Sequence, residues 1–474
     1  MGMLIFFFLS ELAALAVAVM LRLPLASVLP MLLFSVCKLI YWRKCDGHPD
    51  KLKCTAIAGA GFCYEIGQIM AMFAGGTENP VTTPKQSILY AAAAVVFAAV
   101  TFRLLPPVLR GLERWREQEQ VLSVFGVPLL LIVLGVLVLG VTAVLGAVWW
   151  VKGGANETNG SRNWILLAGV SVQLSEFFKL LYVFVFTLCM CRCRQTPKGI
   201  FGFFAYTLVQ SVILACLSEL GTAMVLGMTA LLLGLLNAQT LLSALGRWAG
   251  PLAVQGFRRI LAGAVIGLVS VLKLSLYLLV TFSSNIQKVG HELQPIKSSR
   301  FWEWAVFLNG RFNAVSDQAW NARHGFLSAP LFTLTPSFEP WHKKVSQILT
   351  DFTPFVMSAM FGKLPTILFL TAYFAVLCLL TVRACKSGGT FGLAGCAAGI
   401  LLLVQSAFVV FGVFGIVPFS GMTLPFVSTG GSSLVVSTVL LTILLLVPPQ
   451  KKQSISHICP PPRDSWLRCD MLNM

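Results

Sequence analysis

What most limits the form of this chain is a succession of apolar runs, each long enough to cross a lipid bilayer. A hydrocarbon core about 30 Å thick is spanned by roughly 20 apolar residues in a helix. Runs of this kind fall at approximately 3–20, 23–42, 55–74, 87–106, 121–150, 164–190, 200–218, 219–238, 259–282, 353–382, 390–417 and 423–447. Inside hydrocarbon every backbone N–H and C=O needs an internal partner, and a helix supplies one along its whole length. The expected fold is therefore an all-α polytopic membrane protein, a helical bundle of about 12 (10–12) transmembrane helices. Composition agrees, with 57% apolar and only 11% charged residues, against about 25% charged in soluble domains. The first run is interrupted by Glu11, and no small-residue cleavage site follows it, so it reads as a span rather than a signal peptide.

Lys and Arg in short loops set the orientation. With the N-terminus inside, the loops assigned to the cytoplasm carry Arg43, Lys44, Lys51 and Lys53, then Arg103, Arg110, Arg114 and Arg116, then Arg192, Arg194 and Lys198. The alternation continues through Arg247, Arg258 and Arg259 to Arg383 and Lys386, and ends with Lys451 and Lys452 in the tail. Both termini are thus expected in the cytoplasm of a multi-pass cell-membrane protein. The net charge of +17 is accounted for by topology and attraction to anionic lipid, so nucleic acid is not an expected partner. None of the 13 cysteines falls in a loop assigned outside, and no structural disulfide is expected.

One large non-membrane segment remains, from about Ser283 to Thr350, assigned to the outside. Its aromatic content, as in "RFWEW" at 300–304, favours a segment folded over the outer face of the bundle. Ionisable residues also interrupt the apolar runs: Glu65, Glu176, Lys179, Glu219, Lys273 and Lys363. Each costs roughly 2.5–3.5 kcal/mol at mid-span by insertion scales. Glu176 and Lys179 are spaced i, i+3 and share a helix face. They form either a structural ion pair or the wall of a polar cavity for a charged lipid head group.

The local motifs are more specific. "NGSRNWI" (159–165) leads into a run, "VQLSEFFKL" (172–180) follows within it, and "SELGTAMVL" (218–226) opens another. "LTDF" (349–352) closes the outside segment, and "VPFSGMTLPFVSTGGSS" (417–433) links the last two runs. In this order and at these separations they resemble the SEDS family, the polytopic peptidoglycan polymerases represented by RodA, FtsW and SpoVE. The family's version of the last motif reads Leu-Pro-Phe-Val-Ser-Tyr-Gly-Gly-Ser-Ser, and here only the Tyr differs, as Thr429. The resemblance covers about residues 121 to 447. It implies extra N-terminal transmembrane helices within 1–120, a polymerase core over 121–450 with its extracellular segment at about 283–352, and a cytoplasmic tail over 451–474. Departures are also clear. The family's Arg-Arg-Trp is Arg162-Asn163-Trp164, its Gln-Pro-Ser-Glu is Gln173-Leu174-Ser175-Glu176, and a Glu-Glu-Leu-Gly is replaced by Ala359, Met360, Phe361 and Gly362.

The resemblance implies an inverting glycosyltransferase that polymerises lipid II, a disaccharide-peptide on undecaprenyl pyrophosphate, into glycan strands at the outer membrane face. A sugar hydroxyl attacks an anomeric carbon while pyrophosphate leaves, which needs a base near the hydroxyl and positive charge near the phosphates. Asp351 matches the family's essential Asp and is the candidate base; metal ligand and helix N-cap are the alternatives its position allows. Arg162 and Lys179 are candidates for the leaving group, with Glu176 holding Lys179. Ser428, Thr429, Ser432 and Ser433 would offer hydroxyls to a polar cavity, with Pro425 and Gly430-Gly431 interrupting the helix. Tight helix packing through small residues explains the same stretch. A divalent cation is compatible with the chemistry, but no ligand cluster identifies a metal site. The resemblance also implies a class B penicillin-binding protein transpeptidase as partner. Competing readings are a non-catalytic or degenerate scaffold, and a lipid-linked precursor flippase or other transporter.

Overall fold

Where the apolar runs become helices, many of their ends fall at glycine, proline or charge. The computed structural model describes residues 50–74, 84–117, 174–193, 197–216, 219–237, 348–414 (with 417) and 421–448, together with short stretches that include 164–167, 170–173 and 325–333. The runs at 3–20, 23–42 and 259–282, most of 121–150, Lys273 and most of the outside segment lie outside the described residues. The helices are α1 (Lys51–Ala74), α2 (Pro84–Glu117), α3 (Leu174–Cys193), α4 (Pro197–Cys216) and α5 (Leu220–Leu236). They continue as α6 (Ile348–Asp351), α7 (Thr353–Phe361), α8 (Lys363–Ser387), α9 (Gly389–Val413) and α10 (Gly431–Leu446). Four are long and apolar enough to cross a membrane: α2, α3, α8 and α9. With α4, α5 and α10 as shorter apolar helices, this is a polytopic helical membrane protein.

α9 is the central post. It packs against α3, α4's neighbour α5, α8 and α10, and 83% of its most apolar window is buried, against 11% for α2. A helix apolar on all sides is buried in protein or faces lipid; α9 does the first, and α2 presents Val96, Phe97, Val100 and Leu104 outward. Many hydroxyls inside the bundle are satisfied locally. Thr187, Thr207 and Thr381 donate to the carbonyl four residues back, and the Tyr373 and Ser406 hydroxyls pair at 2.8 Å between α8 and α9.

Three of the runs differ from their sequence-based expectation. The run 164–190 opens as a hairpin, Trp164–Leu167 (β1) against Val170–Gln173 (β2), with Trp164 opposite Gln173 and Leu167 opposite Val170. Only then does α3 begin: "VSVQ" at 170–173 alternates, and Ile165, Val170 and Val172 are β-branched. The run 353–382 is broken at Gly362, whose φ of +93° suits glycine. A Cβ there would lie 2.6 Å from the Leu331 carbonyl oxygen. Residues 325–333 of the large segment dock at this break: Lys363 N–H donates to Pro330 O, Leu364 N–H to Leu331 O, and Lys363 Nζ to Leu327 O at 3.0 Å. Lys363 therefore sits at a helix start with its charge tied to a loop, not at mid-span.

The third difference concerns 423–447, where the helix starts only at Gly431. At 1.5 Å per residue, α10 is about 24 Å long, short of a full bilayer core. The stretch before it, 423–430, is non-helical yet wholly buried. Buried irregular backbone is tolerated only where protein satisfies its polar groups, and here the amides of Leu424, Val427, Ser428 and Thr429 and the carbonyls of Thr423, Leu424 and Gly430 have protein partners. Two glycines allow the close fit. A Cβ on Gly67 of α1 would fall 2.0 Å from the Val427 carbonyl oxygen, and one on Gly431 would fall 2.2 Å from the Tyr90 ring of α2.

Candidate functional site

The 423–430 loop is held from three directions. Pro425 stands in a turn closed by Val427 N–H and Ser428 N–H onto Leu424 O. Phe426 takes a φ of +66°, a left-handed conformation that is strained for a bulky side chain. The Ser428 hydroxyl is the hub. It donates to Thr350 O at 2.7 Å, accepts from Leu424 N–H at 2.8 Å and lies 2.7 Å from the Thr353 hydroxyl. A serine has one hydroxyl hydrogen, so with that hydrogen on Thr350 O, Thr353 must donate. Thr429 N–H also reaches Leu349 O. The loop is thus stapled to both residues preceding Asp351.

Asp351 ends α6 and is 6% exposed. The N-cap position of the following helix, α7, is Phe352, one residue after Asp351, and it makes no side-chain cap bond. Among the described residues no cluster of three or more His, Cys, Asp or Glu side chains gathers to hold a metal ion.

On the other side of the loop lies the buried ion pair. Lys179 Nζ is 2.6 Å from Glu176 Oε1, and the residues are 0% and 2% exposed. The same ammonium donates to Gln405 Oε1 of α9 at 2.9 Å, and Gln405 Nε2 donates to Thr423 O at 3.0 Å. Thr423 in turn donates its hydroxyl to Ser433 Oγ at 2.6 Å. A parallel link joins β2 to α10 and α5: Gln173 N–H to Ser432 Oγ at 3.4 Å, and Gln173 Nε2 to Glu219 Oε1 at 3.4 Å, with Thr222 donating to Glu219 Oε2 at 3.1 Å.

Of the residues picked from sequence, the structure brings Glu176, Lys179, Ser428, Ser432 and Ser433 into this connected set, with Asp351 on the segment stapled to it. Arg162 lies outside the described residues. Ser428, Ser432 and Ser433 spend their hydroxyls on protein groups. Thr429, where the family motif carries Tyr, is buried with its hydroxyl unpartnered among the described residues, as is Glu176 Oε2. Gln405 was missed by sequence reasoning. Its only signal is a lone amide in an otherwise apolar run, which is expensive there unless it is paired.

An apolar cavity of about 690 Å³ opens between α1 and α8, with Met357, Phe361 and Leu441 in its lining. Phe426 of the loop and Glu65 of α1 also contribute to its wall.

Fold and site together define a multi-pass helical membrane protein with a buried polar centre organised by one irregular loop. The family model for the cell cycle proteins FtsW, RodA and SpoVE matches residues 53–265 and 337–453. This chain belongs to that family. The match begins within α1, so it takes in α1 and α2 ahead of the motifs that carry the resemblance. No curated protein matches the chain. Among solved structures it is similar to a chain of a peptidoglycan synthase complex described as coordinating polymerization and crosslinking. The identity is 17%, over 82% of this chain and 96% of that one, with a TM-score of 0.54. At that identity the likeness bears on the fold alone.

Proposed function

We propose that this protein acts in cell-wall synthesis as an inverting peptidoglycan glycosyltransferase that polymerises lipid II at the outer face of the membrane. The observation that carries the reading is the 423–430 loop. It is hydrogen-bonded to the residues next to Asp351 and, through Gln405, to the Lys179–Glu176 pair. Family membership and the fold shared with a chain of a synthase complex support it.

In this mechanism Asp351 accepts the proton of the acceptor's 4-hydroxyl as that oxygen attacks the anomeric carbon of the donor. The anomeric bond to the pyrophosphate breaks, and the leaving charge is met by Arg162 and Lys179. Glu176 holds Lys179, and the hydroxyls of Ser428, Thr429, Ser432 and Ser433 shape the loop that divides the two halves. Lys179 has no exposed surface, so it meets the phosphates only after the loop shifts. The apolar cavity beside Phe426 supports a substrate with an isoprenoid tail. A class B penicillin-binding protein is the partner this reading expects. The buried Ala359 and Met360, where the family carries two glutamates, favour a degenerate scaffold as the second reading.

Purified protein given lipid II, with and without that transpeptidase, is expected to form glycan strands resolved by gel. No strands in either mixture would leave the scaffold reading standing.

The charge alternation supports cytoplasmic termini and an outside position for residues 283–350. In a background lacking the 13 native cysteines, a Ser298→Cys variant should react with a membrane-impermeant maleimide on intact cells. Reaction only after permeabilisation would invert the topology and remove Asp351 from the outer face.

A further inference from the structure

Among the described residues, no hydrogen bond runs from Lys179 directly to the 423–430 loop; Gln405 stands between them. It lies about two-thirds of the way along α9, the most buried of the spans, and is itself 1% exposed. Its amide is used at both ends, with the oxygen toward the Lys179 ammonium at 2.9 Å and the nitrogen toward the Thr423 carbonyl at 3.0 Å. The reverse orientation would set NH₂ against an ammonium and oxygen against a carbonyl. The network therefore fixes which way the amide points.

Few side chains can replace it. Asparagine carries both groups but is one methylene shorter, so it cannot reach both partners from the same backbone. Methionine fills similar volume and makes neither bond. Glutamate accepts from Lys179 but as a carboxylate offers a second acceptor to the Thr423 carbonyl. Thr423 is committed on its other side as well, through its hydroxyl to Ser433 Oγ. Any displacement of the start of the loop must therefore either break the Gln405 bond or carry the amide, and the ammonium bonded to it, along.

We propose that Gln405 is a positioning residue that sets the Lys179 ammonium relative to the 423–430 loop, so that loop movement is transmitted to that charge. The proposal rests on the reading of this centre as the place where a pyrophosphate-linked sugar reacts. Gln405 touches no reacting atom in that reading. It decides where the charge stands when the leaving group departs.

The test uses the full chain in lipid nanodiscs, as parent, Gln405→Met and Gln405→Asn. Hydrogen–deuterium exchange is followed at the amides of Leu424, Val427, Ser428 and Thr429, with the amides of α9 as the internal reference. Losing a buried hydrogen bond to the loop should speed exchange there by roughly tenfold in the Met variant, with α9 little changed. Strand synthesis should fall by roughly tenfold in kcat with KM within about twofold, since a charge misplaced for the leaving group acts in the transition state. Gln405→Asn should show the same pattern to a smaller degree, and it serves as the decisive variant if Met prevents folding. A purely structural role would instead speed exchange in the loop and in α9 together and leave the kcat of the folded fraction unchanged; that result overturns the proposal. The two readings fail separately. A parent protein that makes no strands removes the polymerase reading, whereas unchanged loop exchange in the variants overturns the role of Gln405 whether or not strands are made.

Discussion

Replacing Asp351 with asparagine is expected to reduce strand synthesis from lipid II by at least about 10²-fold and up to about 10⁴-fold, with lipid II binding largely kept. The range is what a general base contributes when it is positioned on the proton it removes. Asparagine preserves shape and can accept hydrogen bonds through its amide oxygen, but it has no usable basicity. What holds this segment to the 423–430 loop is backbone: the carbonyls of Leu349 and Thr350, which accept from Thr429 N–H and the Ser428 hydroxyl. Neither bond involves the Asp351 carboxylate, so the attachment of this segment to the loop should survive the substitution. A cap role predicts survival of activity, since Asn caps a helix about as well as Asp, but Phe352 holds the cap position of α7. Initial rates of strand formation at saturating lipid II make the measurement. A variant that polymerises at close to the parent rate would show that Asp351 is not the base.

The parts of this site that were legible in the sequence are those where composition contradicts a membrane helix. "TLPFVSTGGSS" has a proline, two glycines and five hydroxyls beside a long apolar run, and the structure makes its first eight residues a buried non-helical loop. Glu176 and Lys179 announce themselves by charge and by their i, i+3 spacing, and they are paired. The less legible parts obey weaker signals. "WILLAGVSVQ" is apolar enough to extend a span, and its strand character shows only in the four alternating residues "VSVQ", too short a pattern to separate a strand from a helix. A glycine such as Gly362 is tolerated in many spans, so nothing local marks it as a break. The cause lies in the docking of 325–333 against it, a tertiary contact. Gln405 belongs to the same class. An isolated amide says that some partner exists, but not that the partners are a lysine 226 residues earlier in the chain and a loop carbonyl 18 residues later.

The buried pair makes the second large prediction, an asymmetric one. Lys179→Met leaves the Glu176 carboxylate without its cation, and Oε2 of that carboxylate already has no partner among the described residues. Removing one member of a buried pair costs about 3–5 kcal/mol, and that is the expected loss for this variant. Glu176→Gln is gentler. An amide oxygen can take the place of Oε1 opposite the ammonium, and Gln405 Oε1 still accepts from the same nitrogen at 2.9 Å. The ammonium loses its counter-charge but keeps two neutral acceptors, so the loss is expected at the low end of that range, about 3 kcal/mol. Unfolding in mixed micelles, followed by loss of helical signal, should therefore rank parent, Glu176→Gln and Lys179→Met in descending stability. The pair Lys179→Met and Gln405→Met should also be non-additive, because both remove the same Lys179–Gln405 bond. Equal losses in the two single variants of the pair would mean that the Gln405 amide does not hold the lysine once Glu176 is neutral. The charge would then depend on the carboxylate alone, and the link from the pair to the 423–430 loop would carry no energy.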